Sequence, residues 1–110
     1  MSRPPGERIA DILTALDRCS TYRPYLERPE GEFAVMAYDA VLRNLAVVGE
    51  AVRALPPEVT TEYPDVPWQA IAGLRNVIVH EYFRVRPDLI LDILDTELAP
   101  LAAALRERRR

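Results

Sequence analysis

The chain contains one histidine, His80, and it stands five residues after Arg75 in the run Arg75-Asn76-Val77-Ile78-Val79-His80-Glu81-Tyr82. Imidazole titrates near neutral pH, so any proton transfer that needs it rests on His80 within one chain. A guanidinium binds phosphate oxygens through two parallel N–H donors and holds added negative charge. Together the two groups suit chemistry at a phosphodiester. On an ideal helix a five-residue spacing puts the side chains about 140° apart. They meet at one phosphate only if the helix bends or ends between them, or if a second subunit supplies the counterpart. A symmetric dimer would bring a second Arg75 and a second His80 to one shared cleft. Tyr82, seven residues after Arg75, returns to nearly the same face. Taken alone, a histidine near a helix end is more often a cap or a solvated group than a catalyst.

The elements that must carry these residues are helical. Ile9, Ile12, Leu13 and Leu16 recur with helical spacing between about Pro5 and Tyr22. A second helix is predicted from about Glu32 to Leu55, with Phe33, Met36, Ala37, Ala40, Val41, Val48, Val52 and Leu55 as its stripe. Its small residues (Ala34, Ala37, Ala40, Ala46, Gly49, Ala51) permit close helix approach, within the fold or across a dimer. A third helix is predicted from Pro67-Trp68 to about Tyr82, with proline at its first position. A fourth starts at Pro87, and Pro100 should kink it. The segment 56–65 reads as a loop with at most a short helical turn. No stretch alternates with period two, so no strand or hairpin is expected. The expectation is all-α: one domain over residues 1–110, a compact, largely antiparallel bundle of four to five helices.

Composition narrows the function. Net charge is −3, which does not advertise a nucleic-acid binder, and every positive side chain is an arginine. One cysteine, Cys19, excludes an internal disulfide and a multi-cysteine metal site. Asp11, Asp17 and Asp39 show no metal-binding arrangement, and no metal or cofactor is expected. No apolar run is long enough to span a bilayer and the N-terminus lacks the apolar core of a signal peptide, so a cytoplasmic protein is expected. Trp68 reads as a core anchor rather than a base-stacking platform. Tyr22, Tyr25 and Tyr38 read as ordinary amphipathic packing. Glu50 and Arg43, seven apart on the second helix, share a face; they either flank the cleft or are plain surface charge.

Wider spacing is more specific than the Arg–His pair. Trp68, then Gly73-Leu74-Arg75-Asn76, three apolar residues, His80, one residue and Tyr82 form a pattern that resembles the C-terminal signature of HepT proteins. These are members of the HEPN superfamily paired with minimal nucleotidyltransferases. Val48-Gly49-Glu50-Ala51 resembles the family's Ile-Gly-Glu-Ala motif, and Leu55-Pro56 its following Leu-Pro. The resemblance runs from Arg8 to about Leu105 and is strongest from Arg43 to Tyr82.

The resemblance implies a HEPN-like bundle acting as a symmetric homodimer. It implies a metal-independent RNA endonuclease from a bacterium or archaeon, the toxin of a toxin–antitoxin pair, acting on tRNA or mRNA. Arg75 and His80 would be the catalytic pair, with Asn76 and Glu50 in support. Tyr82 would be the residue that the cognate nucleotidyltransferase antitoxin modifies with AMP. The alternative is a non-catalytic HEPN protein that binds nucleotide or RNA, or that serves as a scaffold for the nucleotidyltransferase.

Overall fold

A computed structural model describes residues 4–81 and 86–109, without the side chains of Glu81 and Arg109. Its helices are α1 (Pro5–Leu26), α2 (Ala34–Arg53), α3 (Pro57–Thr60), α4 (Trp68–Ala72), α5 (Leu74–Glu81), α6 (Pro87–Asp92) and α7 (Ala99–Arg109), with a π-helical stretch, Ile93–Leu98, joining α6 to α7. No strand occurs among the described residues. An all-α bundle is the architecture found.

The α1–α2 hairpin is its frame. Ile12, Val41, Leu45 and Val48, all fully buried, meet along it, and Leu101 and Leu105 of α7 close the same core. Burying one such side chain stabilises the fold by about 1.5–3 kcal/mol. Polar ties set the outer register. The Arg23 guanidinium of α1 grips Asp95 of the π stretch through two N–H donors, 2.6 and 3.0 Å long, and holds that carboxyl below its usual range. Arg23 also pairs with Glu27, and Arg106 of α7 reaches Asp17. Cys19 is buried between α1 and α7, and loss of water pushes its thiol up to about 12, so it stays neutral.

Three boundaries differ from the sequence reading. α1 continues past Tyr22 through Pro24, because its last turn buries Leu26 and closes with Glu27 N–H to the Pro24 carbonyl at 3.3 Å. The third helix is two: Gly73 separates α4 from α5. Ahead of Pro100 the fourth helix takes a π-helical form over Ile93–Leu98, and α7 begins at Ala99, with Pro100 in its first turn, where the missing proline N–H costs no helical bond. The loop after α2 does contain a helical turn, α3, which buries Val59. Trp68 packs against the core and donates its indole N–H to the Tyr63 carbonyl at 2.9 Å. Tyr38 is buried and its hydroxyl accepts the Arg86 N–H at 3.1 Å.

Candidate active site

The motif helix α5 begins where the chain turns at Gly73. Gly49 of α2 decides how close that turn comes. A methyl added at Gly49 would lie 3.1 Å from the Ile71 carbonyl oxygen, 3.5 Å from Leu74 Cβ and 3.6 Å from the Arg75 nitrogen. The first distance is tighter than ordinary packing and the obstacle is backbone, so any larger residue at 49 would need the α4–α5 turn to move back by a few tenths of an ångström. Two neighbours on α2 then take hold. Arg53 donates to the Ala72 carbonyl at 3.2 Å, satisfying an acceptor that the end of α4 leaves open. Glu50 accepts from Arg75 at 2.8 Å.

Arg75 and Glu50 are 62% and 60% exposed, so their pair is open to solvent and to an incoming phosphate. Such a pair contributes at most about 1 kcal/mol. Glu50→Gln should therefore lower the thermal midpoint by no more than about 5 °C, read by a melting curve. A larger loss would show that Glu50 holds the fold rather than the Arg75 side chain.

Asn76 and His80 are also exposed, His80 in the last turn of α5. The helix is continuous from Leu74 to Glu81, so nothing bends Arg75 toward His80, and the two side chains diverge by about 140° within one chain. Glu50 and Arg75 are brought together; Arg43 is not part of that pair and lies instead beside Ile78, in a groove with Asp39, Leu42 and Ala46. Tyr82 lies outside the described residues. No cluster of three or more metal-ligating side chains occurs among the described residues. None of their helices is long and apolar enough to cross a membrane. The sequence reading missed Arg53. Its signal was the position four residues after the close-approach glycine, one turn along the same face of α2.

A family model described as Ribonuclease HepT-like matches residues 12–108. The chain belongs to the HepT-like ribonuclease family. Among its relatives, a Caldanaerobacter subterraneus protein named "Putative RNase" is 36% identical over 104 residues, covering 79% of this chain and 93% of the relative. A Methanocaldococcus jannaschii protein with the same style of name is 46% identical over 55 residues, half of this chain and 46% of that protein. A "Probable ribonuclease HepT" of Thermococcus cleftensis is 27% identical over 71 residues, 64% of each chain. No solved structure matches. The HepT-like match covers α2, α4 and α5 whole, so Gly49, Glu50, Arg75 and His80 all fall inside it.

Proposed function

We propose that this chain is a metal-independent RNA endonuclease and the toxin of a type VII toxin–antitoxin pair, working as a symmetric dimer of single-domain subunits in the cytoplasm. The observation that carries the reading is the exposed Arg75 and His80 on one helix of a HepT-like ribonuclease family member. RNA supplies its own nucleophile. The 2′-oxygen forms a bond to the adjacent phosphorus as the bond to the 5′-oxygen breaks. The products are a 2′,3′-cyclic phosphate and a 5′-hydroxyl. One proton leaves the 2′-hydroxyl and one reaches the departing oxygen; His80 serves as base or acid in that exchange. Arg75 binds the phosphate oxygens and stabilises the charge they gain. Before RNA arrives, Glu50 keeps the Arg75 side chain at the surface, and a phosphate dianion-like transition state competes for the same donors. Asn76 adds a neutral donor beside Arg75.

The test is cleavage of total RNA and of purified tRNA by the intact protein in EDTA, with the ends identified. Cleavage leaving cyclic phosphate ends is expected. A well-folded protein that cuts neither RNA, yet binds RNA or a nucleotidyltransferase, would replace this reading with a binding or scaffold role.

The family resemblance also bears on regulation. Tyr82 is proposed as the acceptor of AMP from a partner nucleotidyltransferase. Adenylate groups beside the cleft would place bulk and negative charge where an RNA phosphate must sit. Incubation with ATP, Mg²⁺ and the cognate enzyme should add adenylate mass to the wild type and none to Tyr82→Phe. A gain that Tyr82→Phe retains would move the modification elsewhere.

A further inference from the structure

The groove beside Ile78 takes no part in the chemistry proposed for Arg75 and His80. It encloses about 360 Å³ between α2 and α5 and is lined by Asp39, Leu42, Arg43 and Ala46 of α2 and by Ile78 of α5. Leu42 is buried and Ala46 and Ile78 are half-buried, so its floor is apolar; Asp39 and Arg43 stand exposed at its rim. These two lie one turn apart on α2, the spacing at which opposite charges pair along a helix. No ion pair joins them, and neither has another charge partner among the described residues. The acceptors of the carboxylate and the donors of the guanidinium are therefore both open to a ligand.

The place of the groove narrows what that ligand is. Arg43 and Glu50, seven apart, share one face of α2, and Glu50 meets Arg75 at 2.8 Å. Arg43 thus lies on the Arg75 side of α5, about 10 Å further along α2. That is the reach from a phosphate to the base of the same or the neighbouring nucleotide. A strand whose phosphate Arg75 holds can lay one base in the groove, its ring against Ala46 and Ile78. Unpaired RNA bases are read in this manner, by contact with the ring and hydrogen bonds to its edges. The two charges then choose the base. Asp39 only accepts, Arg43 only donates, and about 6 Å of helix separates them. Guanine has two donors side by side, N1–H and N2–H, next to two acceptors, O6 and N7. Adenine and cytosine each bring a single amino group and uracil a single N–H, so each leaves part of the carboxylate unmatched.

We infer that the α2–α5 groove is a guanine subsite, in which the Asp39 carboxylate accepts from N1–H and N2–H of the base, Arg43 donates to O6 and N7, and Ala46 and Ile78 support the ring. This rests on the ribonuclease reading above and deepens it by naming the base that is held beside the phosphate on Arg75. A net charge of −3 gives the chain little general attraction for a phosphate backbone. Contact with a base supplies selection that does not depend on that attraction.

The experiment is fluorescence anisotropy of the intact chain with short dye-labelled oligouridines, each carrying one central guanosine, inosine or 7-deazaguanosine. Every ribose has fluorine in place of the 2′-hydroxyl, so nothing can be cut during the titration. Inosine lacks the N2 amino group and 7-deazaguanosine lacks the N7 acceptor. The wild type should bind the guanosine oligomer about 10-fold more tightly than either analogue. In Asp39→Ala the preference over inosine should fall to about 1 while the preference over 7-deazaguanosine remains. In Arg43→Ala the reverse should hold. A fold merely disturbed by substitution would not separate the two analogues in this way. Equal binding of the three oligomers by the wild type, no binding of any, or a preference over inosine that survives Asp39→Ala would each overturn the assignment. Cleavage of the 2′-hydroxyl forms is scored separately. Guanine-selective binding without cutting would count against the ribonuclease reading alone, and equal cutting of all three oligomers against the subsite alone.

Discussion

His80→Ala should reduce RNA cleavage by about 10²–10⁴-fold, the span that a positioned acid or base contributes. The folded protein should scarcely notice. His80 is exposed on the last turn of α5, and surface substitutions there shift stability by no more than about 0.5 kcal/mol. Arg75→Ala should lose activity on a similar scale, and Arg75→Lys should recover only part of it, because an ammonium keeps the charge but not the paired donors. The measurement is initial cleavage rate beside a thermal melt. If His80→Ala kept a tenth or more of the wild-type rate, proton transfer by this side chain would be abandoned.

Gly49→Val should be the most damaging change outside the motif itself. Helix propensity alone favours replacing a mid-helix glycine, by up to about 1 kcal/mol for alanine. Here packing acts the other way. The new Cβ would sit 3.1 Å from the Ile71 carbonyl, and branched methyls would reach further into the α4–α5 turn. Overpacking of this kind costs about 1–3 kcal/mol. It should also move α5 off α2, separating Glu50 from Arg75. The expected result is a lower denaturation midpoint together with loss of cleavage; a Gly49→Val protein as stable and as active as wild type would show that α2 and α5 do not need this approach.

Much of the bundle is legible in the sequence because its helices bury regular stripes. The apolar spacings at Ile9, Ile12 and Leu16, and along α2, place those elements almost to their ends. What the pattern does not carry is where a helix stops for tertiary reasons. Pro24 reads as a terminator, yet burial of Leu26 holds one more turn. Gly73 reads as an interior residue of one helix, yet the chain divides there, with Arg53 and Glu50 of α2 bound on either side of it. At the site, residue types and their helical angle are readable from spacing; the Glu50–Arg75 contact is not, since it joins elements 25 residues apart. The value of Gly49 is readable only as permission for closeness, not as to which backbone it admits.

The division at Gly73 makes α5 a lever. Its eight residues span about 12 Å, and its pivot is fixed by the Arg53 bond to the Ala72 carbonyl. Arg75 sits beside the pivot and His80 in the last turn of α5. A tilt of about 10° would leave Arg75 almost in place and carry His80 through roughly 2 Å, when displacements near 1 Å already cost about 10²-fold in rate. If His80 transfers the proton as proposed, its placing therefore depends on the Gly73 end of α5, among residues away from the phosphate.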